Sequence, residues 1–244
     1  MKNVKMGNSL WKDKKIKCVI LCGGEGTRLF PLTLHKQKSM IEVAGKPVLG
    51  HIVDYWKKYT NDFVFIVHYK KEEVMVYARS LPVNAEFIEL EEVKGIAQGL
   101  MRAKDVLTDN FIVALGDCLI KGDFKFPNSL DLGVGVWPTN DHYHIKSSYS
   151  VEIDGELVKK VVEKPVEILN NLCGMGSYFF SKKIFDYIDK TAPSSLRNQI
   201  ELTDAIQKAI EEGEKVKIVE FIGHYININH LEDLKRAEDI FGDF

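Results

Sequence analysis

The sequence lacks long apolar runs, is poor in cysteine and has no excess of either charge. Each absence removes a class of function. No apolar run approaches the ~20 residues of a membrane-spanning helix, so no membrane role is expected. Thirty-three Lys and Arg stand against 35 Asp and Glu, a net charge of −2. Nucleic-acid binders usually carry a strong basic excess. Nucleic acid is therefore not an expected partner, and any anion site has to be local. The four cysteines, Cys18, Cys22, Cys118 and Cys173, are not spaced as zinc ligands, and no secretory signal accompanies them. They read as reduced thiols of a cytoplasmic protein, with Cys18 and Cys22 packing in or beside a strand. Internal repeats, low-complexity tracts and linkers are also absent.

What is present suits a folded α/β protein. Apolar residues make up 45% of the 244 positions, enough for a sizeable core. Residues 1–15, "MKNVKMGNSLWKDKK", are basic and polar and read as a flexible tail. Residues 16–244 read as one domain, with a nucleotide half over about 16–117 and an acceptor half over about 118–244.

"IKCVILC", "DFVFIVHY", "AEFIEL" and "NFIVALGD" have the character of strands. "VLGHIVDYWKKY", "KEEVMVYARSL" and "GIAQGLMRAKDVL" lie between them with helical spacing. This alternation predicts a doubly wound, mainly parallel, Rossmann-like sheet. Such sheets bind ligands at the carboxyl ends of their strands, near a switch point. After Asp117 the pattern changes. "DLGVGVWP", "SYSVEIDG", "LVKKVVEKP" and "CGMGSYFFS" look like strands joined by turns, which predicts a small antiparallel insertion. Asp154-Gly155 is a hairpin signal. "SKKIFDYIDK", "ELTDAIQKAIEEGEK" and "HLEDLKRAEDIF" read as helices, and "VKIVEFIGHYINI" as a pair of short strands.

The stretch "VILCGGEGTRLFPLT" puts a glycine turn and a cation directly after a buried strand. Strand, glycine turn and helix start is an arrangement that cradles phosphates on backbone N–H groups. The dinucleotide fingerprint needs glycine where Leu29 stands, and the P-loop needs a Gly-Lys-Ser/Thr that is absent.

Gly23, Gly24, Gly26, Thr27, Arg28 and Leu29 are followed by Lys38 in "HKQKSM" and by Gly45-Lys46-Pro47. Further on come "LGDCLI", "VVEKP" and "ELTDAI". Together these resemble the signature of the sugar-phosphate nucleotidyltransferases, the nucleoside-diphosphate-sugar pyrophosphorylases, over nearly the whole chain. The resemblance implies that a nucleoside triphosphate and a sugar 1-phosphate are joined with release of pyrophosphate. The nucleophile of that reaction is an anionic phosphate oxygen. Catalysis then rests on positioning and electrostatic stabilisation rather than on a strong base.

The resemblance assigns roles residue by residue. Arg28 would hold the β- and γ-phosphates and Lys38 would lie between donor and acceptor phosphates. Leu21, Gly23, Gly24, Gly26, Thr27, Gly95 and Gln98 would line the nucleotide. Asp117, at the end of a predicted strand, would ligate Mg2+. Asn227 falls where many relatives place a second, aspartate ligand in a Trp-x-Asp-x-Gly segment. Its neutral amide oxygen can still bind the ion. Asn229 replaces the glycine of that segment and is a weaker candidate ligand. Glu163 would take sugar hydroxyls, Lys164 the acceptor phosphate, and Gly176 and Tyr178 the acceptor wall. Arg197 resembles a family arginine near the phosphates. Lys36 and Lys46 each read either as a solvated surface cation or as a neighbour of phosphate. Asp204 reads as structural.

The chain departs from the pattern in two places. The family's base-reading Gln, five residues before Gly95, is replaced by Leu90, with Glu89, Glu91 and Glu92 around it. The base is therefore open between backbone reading, with weak selection among pyrimidines, and reading of cytosine or guanine by one glutamate. Gly174 stands where the N-acetylglucosamine 1-phosphate enzymes place Asn, so an N-acetyl sugar is not implied. The length is about that of a catalytic domain without an added left-handed β-helix. A cytidylyltransferase acting on a non-sugar phosphate is the enzymatic alternative. A sensor that binds a sugar nucleotide without turnover is the alternative of another class. Oligomeric state is not legible.

Overall fold

The computed structural model describes Trp11, residues 15–193 and residues 199–242. In chain order the strands are β1 (Lys17–Cys22), β2 (Glu42–Val43), β3 (Lys46–Pro47), β4 (Asp62–Val67), β5 (Asn84–Glu89) and β6 (Asn110–Leu115). They continue as β7 (Cys118–Lys125), β8 (Leu132–Pro138), β9 (Tyr149–Asp154), β10 (Leu157–Glu163), β11 (Leu172–Ser181) and β12 (Val216–Asn227). The helices are α1 (Leu32–His35), α2 (Val48–Trp56), α3 (Lys71–Ser80), α4 (Ile96–Met101) and α5 (His142–Ser147). Three more follow: α6 (Ile184–Lys190), α7 (Leu202–Glu211) and α8 (Leu231–Phe241).

One ten-stranded sheet runs β5-β4-β1-β6-β11-β8-β12-β10-β9, with β7 paired to β12. Strands β5, β4, β1 and β6 are mutually parallel. From β11 onward the pairing is antiparallel, except that β8 and β12 run parallel. The chain leaves β1 toward β4 and β5, then returns to add β6 on the other side of β1. That reversal is the switch point at which doubly wound sheets open a crevice. Both the glycine loop, after β1, and Asp117, after β6, emerge there.

β1 shows why the parallel half is so apolar. Cys18, Ile20 and Cys22 enter the core on one face of the sheet, and Val19 enters the core on the other. A strand covered on both faces has no place for polar alternation. α2 closes the first face with Ile52, Val53 and Trp56, while Leu100 of α4, Ile184 of α6 and Ile206 of α7 pack on the second. Rings of Trp56, Phe124 and Phe179 meet with centroids 5.1–6.0 Å apart and anchor β7 and β11 to α2.

Several expectations change. Trp11 falls in the segment expected to be a flexible tail, yet it is 2% exposed and packs on Phe126 and Phe179. The remaining residues before 15 lie outside the described residues. "VKIVEFIGHYINI" contains one strand, β12, rather than two. It pairs with β8 as far as Glu220 and with β7 from Glu220 onward. Gly122 and Gly223 face each other in that second pairing. A Cβ on Gly223 would lie 2.2 Å from the Lys121 carbonyl oxygen, so glycine here allows close backbone approach rather than a strand end. The helix expected over "GIAQGLMRAKDVL" is confined to Ile96–Met101. The β2–β3 hairpin and α5 were not anticipated.

Candidate active site

The glycine loop is shaped by Gly26, which has φ 65° and starts the 3-10 turn Thr27–Leu29. Thr33 Oγ1 donates to the Gly26 carbonyl at 2.8 Å. A Cβ on Gly26 would meet the Lys38 and Thr33 side chains at 3.1 Å, so the lysine segment packs directly under the loop. Gln37, 2% exposed, fastens the two together. Its Nε2 donates to the Cys22 carbonyl at 2.9 Å, and its Oε1 accepts from Ser39 Oγ at 2.6 Å. Its own N–H donates to Glu73 Oε2 at 3.0 Å. Gln37 escaped sequence reasoning because one buried amide between two lysines carries no periodic signal.

Lys38 is thereby held in a short 3-10 turn and is 9% exposed. Its Nζ donates to Asp117 Oδ2 at 2.6 Å. Arg28 is exposed at the mouth of the same cavity and makes no hydrogen bond or ion pair among the described residues. Its guanidinium is therefore available to a ligand.

Asp117 is placed by a tight exit from β6. Gly116 N–H donates to the Leu21 carbonyl at 2.9 Å, and a Cβ on Gly116 would lie 2.6 Å from that oxygen. β7 then runs antiparallel to β12, which sets Cys118 opposite Asn227, and Ile228 N–H donates to the Asp117 carbonyl at 2.9 Å. Asp117 and Asn227 thus become neighbours by the antiparallel pairing of β7 with β12. Asn227 Oδ1 is buried and has no hydrogen-bond partner among the described residues. An orphaned amide oxygen beside a carboxylate is a hard donor pair. Mg2+ is commonly held by one or two carboxylates together with substrate phosphates, so these residues fit the ion.

A cavity of about 410 Å3 joins these groups to residues from the later half of the chain. Glu163 ends β10, and Lys164 follows it with φ 47°, a left-handed conformation uncommon for a residue with a side chain. Lys164 N–H donates to the Ser148 carbonyl at 2.8 Å, and Thr203 Oγ1 donates to Glu163 Oε2 at 3.2 Å. Tyr149 and Tyr178 stack at 6.1 Å on the same wall. Burial pushes both phenols well above their ordinary range, so they stay neutral donors. Gly176 lines this wall too. A Cβ there would meet Cys118 Sγ at 2.6 Å. Ser148, Tyr149, Glu201 and Thr203 were missed as lining residues, because only the tertiary pairing brings them to the cavity.

The far end of the cavity is apolar, with Leu21, Leu90 and Val93 around Gly95 and Gly99. Gly95 has φ 102°, and a Cβ on it would lie 2.7 Å from the Ile200 carbonyl oxygen. Gly23, Gly24 and Thr27 line the cavity. Gln98 does not: it is exposed on α4 and points away from the wall that Gly99 presents. One residue of a helix turns its side chain by roughly 100°, which separates the two. None of Glu89, Glu91 and Glu92 lines the cavity. Glu89 pairs with Lys71 at 2.6 Å and Glu92 pairs with Lys94. Reading of a base by these glutamates is therefore not the arrangement found.

Lys36 pairs with Glu42 and Lys46 with Asp54, both away from the cavity. Asp204 shares a capping box with Glu201 at the start of α7, the structural role expected of it. Gln199, unremarked in the sequence, lines the cavity near Gly95. Arg197 lies outside the described residues.

The family model described as nucleotidyl transferase matches residues 17–237. The bifunctional protein GlmU of Methanocaldococcus jannaschii is 35% identical over 221 residues, covering 90% of this chain and 52% of that protein. The chain thus spans about half the length of that relative. The UTP–glucose-1-phosphate uridylyltransferase AglF of Haloferax volcanii is 30% identical over 234 residues, covering 91% of this chain and 95% of that protein. A Bacillus anthracis structure described as a glucose-1-phosphate thymidylyltransferase, solved with sucrose, superposes with a TM-score of 0.81 at 24% identity. The superposition covers 93% of this chain and 96% of that one and shows a shared fold.

Proposed function

We propose, since the chain belongs to the nucleotidyl transferase family, that it joins a nucleoside triphosphate to a sugar 1-phosphate, giving a nucleoside-diphosphate sugar and pyrophosphate. One observation carries the reading. Arg28, at the mouth, and Lys38 and Asp117, farther in, line a single cavity whose two ends differ. One end is apolar and backed by glycines, which suits a flat base. The other carries Glu163, Lys164 and Thr203, which suit hydroxyls and a phosphate.

In the reaction an oxygen of the sugar phosphate forms a bond to the α-phosphorus of the triphosphate. The bond from that phosphorus to the β-phosphate bridging oxygen breaks, and pyrophosphate leaves with the electron pair. The nucleophile is already ionised, so no proton has to be removed. Arg28, a planar fork of donors, binds the β- and γ-phosphates and stabilises the leaving group. Lys38 leaves Asp117 Oδ2 for the phosphates and lowers the repulsion between two anions brought together. Lys164 holds the acceptor phosphate, and Glu163 accepts hydrogen bonds from the sugar. Asp117 and Asn227 would hold Mg2+, which when bound neutralises phosphate charge. AglF is named for UTP and glucose 1-phosphate. With Leu90 at the base end and the glutamates outside, backbone groups around Leu21 and Gly95 read the base, and the donor is a pyrimidine triphosphate selected weakly.

Pyrophosphate release measured across UTP, dTTP, CTP, ATP and GTP, each with a panel of sugar 1-phosphates and alcohol phosphates, tests the proposal. It expects release with a pyrimidine triphosphate and a sugar 1-phosphate together. Release only with a non-sugar phosphate would replace it with the cytidylyltransferase alternative.

A further inference from the structure

Asn229 has no part in the machinery above, and its setting is unusual for an amide. It is 3% exposed, it lines the cavity, and its side chain has no hydrogen-bond partner among the described residues. Its backbone is fixed. Asn229 N–H and His230 N–H both donate to Oδ2 of the fully buried Asp233, each at 2.8 Å. Successive side chains of a strand point to opposite faces. The Ile228-to-Asp117 hydrogen bond carries the pairing of β12 one residue past its end. Ile228 is fully buried in the core, which sets Asn227 and Asn229 together on the cavity side. Asn227 Oδ1, two residues earlier, is fully buried and has no partner among the described residues. Two amides without a side-chain hydrogen bond among the described residues therefore line the cavity on either side of the residue that bonds the Asp117 carbonyl. The pattern that the sequence resembles has glycine at position 229, where this chain carries an amide.

We propose that the amide oxygen of Asn229 is a third protein ligand of the divalent-cation site, beside Asp117 and Asn227, and that the chain binds the cation before nucleotide arrives. The proposal deepens the reading above and rests on its cation site. Its chemistry follows from charge. A hard cation prefers oxygen donors. Lys38 already takes one oxygen of Asp117, so the carboxylate offers the cation less than its full charge. Two amide oxygens add ligands without adding negative charge, which would repel the incoming phosphates. A rigid backbone at Asn229 keeps its ligand in place without substrate.

The test is binding of Mn2+ to the full chain with no nucleotide, read as loss of the free-ion electron paramagnetic resonance signal. The parent protein is expected to bind one ion. Asn229→Gly is expected to weaken binding about tenfold or more, the scale on which metal sites respond to lost support. Asn229→Asp is expected to tighten it. A parent that binds no Mn2+ without nucleotide overturns the proposal. So does an Asn229→Gly protein that binds Mn2+ like the parent. Weaker binding by Asn229→Asp also overturns it and makes the amide N–H a phosphate donor instead. Nucleotidyl transfer is assayed separately on the same proteins. Mn2+ binding without any transfer sinks the activity and leaves Asn229 a ligand, whereas full transfer with unaltered Mn2+ binding in Asn229→Gly sinks the ligand alone.

Discussion

Lys38 and Asp117, 79 positions apart in sequence, meet at 2.6 Å and tie the lysine segment to the end of β6. The contact brings the expected phosphate cation and the expected metal ligand into one ion pair. Each neutralises the other until phosphates compete for the lysine. A group released to the phosphates as they react acts on the transition state more than on binding. Lys38→Ala is therefore expected to lower kcat by about a hundredfold or more, on the scale of other electrostatic catalytic groups. Triphosphate binding should change little. Steady-state pyrophosphate release beside equilibrium nucleotide binding separates the two effects, and unaltered kcat removes Lys38 from the mechanism.

Asp117 and Asn227 differ in what their loss should do. Asp117→Ala is expected to abolish activity even at high magnesium, since the carboxylate goes. Asn227→Asp is expected to retain activity, because it supplies the ligand more usual in relatives. Magnesium titrations of turnover check both, and rescue of Asp117→Ala by added magnesium would contradict the assignment.

Leu90 lies on an apolar wall, and a Cβ on Gly99 would reach its side chain at 3.5 Å. Glutamine there could donate and accept along one base edge, and a buried polar pair discriminates strongly because a wrong base leaves it unpaired. Leu90→Gln is expected to raise the preference for UTP or dTTP over CTP. Ratios of kcat/KM for the three donors test this, and an unchanged ratio would show that position 90 does not face the base.

Gly174 makes room for the Tyr149 ring by being small. A Cβ there would fall 2.0 Å from the Tyr149 ring, so Gly174→Ala has to displace a ring buried in the core. Overpacking of this kind costs about 1–3 kcal/mol. Chemical denaturation should show that loss, and Tyr149→Leu in the same chain should recover part of it.

His144 gives the pH dependence a sign. It is buried against Trp137, and burial pushes its imidazole below the ordinary value of 6.5, with Asp141 opposing the shift. Above pH 6.5 both native and unfolded forms are neutral here and the stability is intact. As pH falls below that value the unfolded chain takes up a proton that the native state resists, so stability declines. His144→Gln is expected to flatten this decline relative to the parent. Denaturation midpoints measured over a pH series check it, and identical slopes would show that His144 is not the group responsible.

The parallel half was legible because its inner strands β1, β4 and β6 are largely apolar and its helices are periodic, which places Asp117 at a strand end without any structure. The glycine loop was legible because its spelling is constrained by backbone approach. Gln98 was put at the nucleotide by resemblance alone, whereas on α4 it is exposed and its neighbour Gly99 lines the cavity. β12 was split in two because Gly223 reads as a stop, whereas it serves close packing against Gly122. Gln37, Ser148 and Thr203 carry no local pattern, since their roles exist only once distant segments meet. Trp11 was hidden by its basic neighbours, although a lone large ring in a polar stretch has reason to seek a core.

The central claim is that one cavity carries out transfer rather than mere binding. Phosphorus-31 nuclear magnetic resonance of the protein with Mg2+, UTP and glucose 1-phosphate tests it most directly. The account predicts the diphosphate resonances of a nucleoside-diphosphate sugar and an equal amount of pyrophosphate, formed only when both substrates are present and lost in Asp117→Ala. Resonances that broaden on binding while no diphosphate product forms, across the pyrimidine triphosphates and a panel of sugar 1-phosphates, would contradict it and leave a sugar-nucleotide sensor.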